Sequence, residues 1–205
     1  MIFESPNHNM FNQLPESVFV HPSASIIGNV KMGDDCSIWP STVLRADLGE
    51  ITLGKGVNIQ DGSVLHTEYR KSLSIGDYTL VGHKTMLHGC NIGRGCLIGI
   101  GTIILDGAEI GDGASITAGC LIRGNVKIPP FSLVVSKNSD IKIYPNRAPV
   151  VTVLAGSLEY IELAKYYESQ ATQVKRGLHQ EFQPSNNLKE KALQLAKDMF
   201  GRDFK

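Results

Sequence analysis

His66, His83 and His88 are three of the six histidines of this chain, and their spacing relates them to one another. His66 directly follows Leu65 and His88 directly follows Leu87, as Arg45 follows Leu44. Neutral imidazole is a common zinc ligand, at about 2.0–2.1 Å from the ion. Three such ligands leave one position open, and water there falls from a pKa near 16 to about 7. A histidine in a cleft is also a general base with no metal at all. Which chemistry applies depends on how the chain places the three rings.

A six-residue beat supplies the coordinates. Aliphatic anchors recur as Val20, Ile26, Met32, Ile38 and Leu44, then Leu53, Ile59 and Leu65, then Ile75, Val81 and Leu87. They continue every six residues from Ile92 to Val134, nineteen in all. The fifth position of each hexad is small or short-branched, as at Ala24, Cys36, Thr42, Cys96 and Cys120. Its exceptions, Leu48, Tyr69 and Asn91, fall where the period itself breaks, and they read as loops or bends. Glycine is frequent at the second position, where the backbone turns a corner. A hexad fits one short strand and a corner. Stacked coils bury a continuous aliphatic column, and hexapeptide repeats mark a parallel β-helix. A β-sandwich with coincidental spacing is the alternative.

With three hexads per coil, Leu44, Leu65 and Leu87 stack on one face, and Arg45, His66 and His88 form a single column. The backbones of His66 and His88 then lie about 5 Å apart, a workable separation for two rings sharing one zinc ion. His83 lies two residues after Val81, as Asp61 does after Ile59, so it belongs to the neighbouring face with Asp61 beneath it. It reaches the same metal only across a subunit boundary, in a heterologous interface that closes on a three-fold axis. The bland alternative is three histidines that merely decorate the surface.

The 205 residues make one domain plus an appendage. The divisions expected are an N-terminal extension over 1–17, the β-helix over 18–136, a polar connector over 137–150 and a helical segment over 151–205. In the last, Leu158, Ile161, Leu163, Ala164 and Tyr167 have helical spacing, with Ser157 as a candidate cap. A second helix is expected from Leu188 to Phe200. Glu159, Glu162, Lys165 and Glu168 read as a solvated face. Twenty basic and twenty acidic residues balance, which gives no electrostatic case for nucleic acid or an anionic membrane. No stretch is apolar enough to span a bilayer, and Met1 to Pro15 has no signal-peptide pattern. Cys36, Cys96 and Cys120 fill the small inward slot and Cys90 precedes a bend. Buried thiols of this kind suit a reducing cytoplasm.

The runs Leu44-Arg-Ala-Asp-Leu-Gly, Asn58-Ile-Gln-Asp-Gly, Val64-Leu-His, Val81-Gly-His and Met86-Leu-His-Gly-Cys resemble the signature of γ-class carbonic anhydrases and their close homologues. The likeness covers roughly residues 18 to 135, irregular spacings included. It implies an all-β solenoid, a left-handed parallel β-helix of about six coils with a C-terminal helical tail. The hand comes from the resemblance, since the general preference for right-handed crossovers predicts the opposite. It also implies a homotrimer with an interfacial metal, Zn2+ with Fe2+ or Co2+ as alternatives, held by His66, His83 and His88. The implied activity is the reversible hydration of carbon dioxide to bicarbonate.

The resemblance gives the remaining roles. Gln60 orients the hydroxide. Arg45 and Asp61 pair across the subunit boundary with Asp47 in the same network, either catalytic or a lock on the trimer. Tyr160 matches the tyrosine that the family's C-terminal helix brings near the metal, although an ordinary packing tyrosine reads as well. Two departures stand out. The acidic loop that carries proton-shuttling glutamates in the best-characterised branch is cut to Gly49-Glu50, leaving Glu50 and Glu68 as substitutes. The exit segment is Ser136-Lys-Asn-Ser-Asp-Ile-Lys-Ile-Tyr-Pro instead of a Gly-x-Pro-Ala-Lys type. Short-loop relatives are often weak hydratases. The competing readings are a hexapeptide-repeat acyltransferase or CoA-thioesterase, which needs no metal, and a metal-stapled scaffold without turnover.

Overall fold

In the structure, a computed structural model that describes residues 2–3, 14–138, 140–173 and 181–204, the hexads wind into a left-handed parallel β-helix of about six turns with two helices behind it. On the first face Val20, Ile38, Ile59, Val81, Ile98, Ile116 and Val134 are successive Cα partners. On the second, Ile26, Leu44, Leu65, Leu87, Ile104 and Ile122 follow one another. On the third the column is Met32, Leu53, Ile75, Ile92, Ile110 and Ile128. All of these anchors except Val20 and Met32 are buried. Aliphatic burial of this kind is the main favourable contribution to folding.

The breaks in period resolve once the inward slot is counted back from the next anchor. Ile51, Leu73 and Cys90 fill it, each fully buried, while Leu48 and Tyr69 turn outward. The first break is not a loop. Strand Val43–Leu53 runs through it unbroken and passes from the second face to the third, with a register shift opposite Gly28/Asn29. Gly28 makes the close approach possible. Its φ is +80°, and a Cβ there would lie 2.3 Å from the Ala46 carbonyl oxygen.

Both ends differ from the expected divisions. Ile2–Phe3, inside the supposed extension, pairs in parallel with Ile26 and Ile27, while residues 4–13 lie outside the described residues. The stretch expected as a polar connector holds a strand, Asp140–Tyr144, antiparallel to Leu133–Lys137. Ile141 and Ile143 alternate inward from it onto the core and cover the last coil, whose edge would otherwise be open.

Helix α1 spans Val150–Gln173 and α2 spans Leu188–Phe200. Ser157 is therefore not a cap. It lies well inside α1, fully buried, and its hydroxyl donates to the Gly56 carbonyl at 3.2 Å. The helix starts earlier because Val150, Val151 and Leu154 pack on Ala192 and Ala196 of α2. The charges of α1 are not all solvated either. Glu162 accepts from the Ser185 N–H at 2.9 Å and faces the Lys191 ammonium at 3.6 Å, and Lys165 reaches Asp35 at 3.0 Å. Among the described residues no helix is long and apolar enough to cross a membrane. The four cysteines are buried free thiols, and burial pushes Cys36, Cys90 and Cys96 up to about 12.

Candidate metal centre

The second face carries Arg45, His66 and His88 as direct Cα partners in consecutive coils. The strands Val64–His66 and Met86–His88 put Leu65 and Leu87 inward, so the next residue in each must point out. The two rings meet with His66 Nδ1 and His88 Nε2 3.0 Å apart. Each ring is held from behind by a carboxylate. His66 Nε2 faces Asp47 Oδ1 at 3.2 Å, and His88 Nδ1 faces Asp106 Oδ2 at 2.8 Å. Asp47 in turn accepts from Arg45 Nη1 at 2.6 Å.

This electrostatic arrangement favours a neutral His66 ring and a charged Asp47 carboxylate. Burial, then the Arg45 charge, pushes the His66 pKa below its ordinary value, against the pull of Asp47. Burial works against ionisation of Asp47, but hydrogen bonds from Arg45 and His66 outweigh it and hold the carboxyl below the usual carboxylate range.

His83 stands at the corner before this face. Its Nδ1 faces Asp61 Oδ2 at 2.9 Å, one coil beneath. Both side chains are nearly half exposed, and Ile100 lies above His83 in the same corner. Within this chain Asp61 thus pairs with His83 and Arg45 pairs with Asp47. Among the described residues no three His, Cys, Asp or Glu side chains of the chain converge on one point. Gln60 is buried, one residue before Asp61 on this corner. Tyr160, on α1, packs edge-on against Trp39 with centroids 5.7 Å apart. Burial, then the Asp61 charge, pushes its phenol up, so it stands on the Asp61 side. Glu50 is taken by Lys31, Asn29 and Thr52, and Glu68 by Lys71. The Lys31 hydrogen bond is the largest influence on Glu50 and holds its carboxyl below the ordinary range, which suits a proton shuttle near neutrality poorly.

The fit of this donor set to a metal ion follows from the protons. An ionised carboxylate only accepts, so Asp106 calls for the His88 proton on Nδ1 and Asp47 calls for the His66 proton on Nε2. Two lone pairs then face each other across 3.0 Å. A shared proton or a metal cation relieves that conflict, and two nitrogens on one tetrahedral zinc ion lie about 3.3 Å apart.

Asp106 is the residue that sequence reasoning missed. It lies two positions past the anchor Ile104, which stacks on Leu87, so the hexad count already set it over Gly89 and beside His88.

Residues 89–124 match the family model described as bacterial transferase hexapeptide, six repeats. Over 156 residues the chain is 35% identical to a Methanocaldococcus jannaschii protein named "Probable carbonic anhydrase", across 76% of this chain and 98% of that one. It belongs to the γ-carbonic anhydrase-like family of hexapeptide-repeat proteins. It is also 30% identical over 172 residues to Arabidopsis thaliana gamma carbonic anhydrase 2, mitochondrial, covering 79% of this chain and 62% of the relative. To Escherichia coli YrdA it is 42% identical over 95 residues, 43% of this chain, and spans about half of that relative's length, 52%. Among solved structures, a Bacillus cereus protein named as an acetyltransferase superposes with a TM-score of 0.76 at 34% identity, covering 82% of this chain and 98% of that one.

Proposed function

We propose that this member of the γ-carbonic anhydrase-like family is a zinc-dependent catalyst of carbon dioxide hydration, with each site shared between two subunits of a homotrimer. The observation that carries the reading is the pair of carboxylate-backed histidines whose remaining ring nitrogens face each other at 3.0 Å. His66 and His88 would hold the ion from one chain, and His83 of the partner subunit would complete the set. Zn2+ is the ion of first choice, with Fe2+ and Co2+ as alternatives, since imidazole suits all three.

The outward surface supports such packing. Met86, Ile103 and Leu121 are Cα partners in one exposed apolar column on the same face as His66 and His88. The neighbouring corner presents His83 with exposed Ile100. Two different patches on one prism suit a heterologous contact that closes by rotation. Half-exposed Arg45 and Asp61 would pair across it, while Arg45 keeps Asp47 ionised.

When bound, zinc supplies a Lewis acid that makes water nucleophilic at neutral pH. The chain does the rest. Asp47 and Asp106 would aim the two imidazoles by holding each from behind, burial and the Arg45 charge favour the neutral form of His66, and Gln60 would orient the nucleophile by hydrogen bonding. Carbon dioxide and water give bicarbonate and one proton, which must leave the site. Tyr160, whose phenol burial and the Asp61 charge push up, does not carry that proton at neutral pH.

The test is metal content per chain on freshly purified protein, for wild type and His83→Ala, with sizing alongside. About one zinc per chain in a trimer, lost in the variant, followed by hydration turnover, is the expected result. A metal-free trimer indifferent to the substitution would sink the proposal. The name of the B. cereus relative favours a second reading, acyl transfer from a CoA thioester with a histidine as general base. That reading requires CoA binding and no stoichiometric metal. The buried thiols are no nucleophile for it, since Cys36, Cys90 and Cys96 stay protonated.

A further inference from the structure

We infer that Asp106 is a positioning residue that fixes the proton of His88 on Nδ1 and so aims the Nε2 lone pair at His66; its consequence for zinc rests on the metal reading above. Neutral imidazole carries one N–H, and the partner of one nitrogen decides the state of the other. His88 Nδ1 lies 2.8 Å from Asp106 Oδ2, and its Nε2 is the atom that faces His66 Nδ1 at 3.0 Å.

The backbone is shaped to allow this reach. Asp106 comes from the next coil, where Ile104 stacks on Leu87 and Gly107 N–H donates to the Gly89 carbonyl at 2.8 Å. It therefore sits over Gly89, one residue past His88. Gly89 has φ +50°, and a Cβ there would lie 2.3 Å from Asp106 Oδ1. Only a bare Cα leaves the carboxylate room to lean back on the ring. The other oxygen, Oδ1, is buried and has no hydrogen bond among the described residues, with the Lys71 ammonium 3.9 Å away and itself held by Glu68. A buried carboxylate oxygen with no hydrogen bond is a cost. The fold keeps it while Oδ2 is spent on His88, and that choice marks Asp106 as set for the ring.

The metal-free state exposes the role directly. Full-length protein labelled with 15N-histidine and stripped by chelation reports each tautomer in long-range proton–nitrogen spectra, with His88 assigned by loss of its signals in His88→Ala. Wild type should show His88 with the proton on Nδ1. Asp106→Asn keeps an acceptor oxygen of the same shape and should keep that tautomer. Asp106→Ala should release it. Competition with a chromophoric chelator should then show zinc affinity about 10- to 100-fold weaker in Asp106→Ala, with Asp106→Asn close to wild type. Sizing and unfolding of the stripped proteins check that all three retain the same assembly.

A wild-type His88 protonated on Nε2 overturns the inference, as does an Asp106→Ala protein with wild-type tautomer and wild-type zinc affinity. If the tautomer responds as described but wild type binds no zinc, the positioning role stands and the carbonic anhydrase reading falls.

Discussion

Mixed trimers provide a sharp test of a site divided between subunits. His83 is five residues from His88, so the two backbones are separated by at most about 17 Å of chain, bent around one corner of the prism. His66 and His88, one coil apart, already have ring nitrogens at 3.0 Å. If each site takes His66 and His88 from one chain and His83 from the next, the two defects complement each other. Coexpressing His83→Ala and His88→Ala chains with different tags gives random trimers. A site is intact when its first chain is His83→Ala and its second is His88→Ala, which happens for about one site in four. Each homotrimer has none. Zinc per chain in the doubly tagged fraction, together with hydration rate, reads the recovery. Counting only trimers with at least one chain of each type raises the expected fraction to about one in three. Zinc recovered in the mixture but in neither parent shows sharing. No recovery in a mixed trimer of normal size refutes the heterologous arrangement, because a site inside one chain cannot be rebuilt by a neighbour carrying a different lesion.

Other outcomes follow from separate parts of the fold. Leu65→Ala, in the fully buried second column, should cost about 2–5 kcal/mol in denaturant unfolding, because stacked neighbours cannot collapse onto the gap. Ile103→Lys, at the centre of the exposed apolar column, should move the sizing profile towards monomer with the far-ultraviolet spectrum unchanged. Glu162, held below the ordinary carboxylate range by Ser185 and Lys191 against the effect of burial, stabilises the α1–α2 contact only while ionised. Its folded pKa is depressed, so its contribution is present above the ordinary carboxylate range and is lost as pH falls through the lowered value. Glu162→Gln should therefore destabilise by about 0.5–1.5 kcal/mol at pH 7 and by less as the pH is taken below 4.5, measured by paired urea titrations. No native cysteine should react with an aromatic disulfide at pH 8. Cys36, Cys90 and Cys96, pushed up to about 12, are each ionised only about one part in 10,000 there, and Cys120 is buried as they are.

The β-helix was legible because its period is both the sequence pattern and the structural coordinate. Six residues advance one face, so counting anchors places Arg45, His66 and His88 in one column before any coordinates exist, and the observed register repeats that count residue for residue. The same count placed Asp61 under His83. It faltered where the backbone departs from the beat. Counting forward from Leu44 made Leu48 an inward misfit, whereas counting back from Leu53 gives the buried Ile51. The helical tail was less legible. Ser157 has the chemistry of a cap and the environment of a core residue, and only the packing of Val150 and Leu154 on α2 reveals which one prevails. Asp106 fell between these cases. Its position was countable, but an aspartate two residues past an anchor reads as a turn until Gly89 is seen to leave it room. The columns determine which residues face out together; the corners, through left-handed glycines and carboxylates reaching between coils, determine which atoms of those residues are presented. A metal site needs both, because two histidines in register are only neighbours until something behind each ring decides where its proton sits.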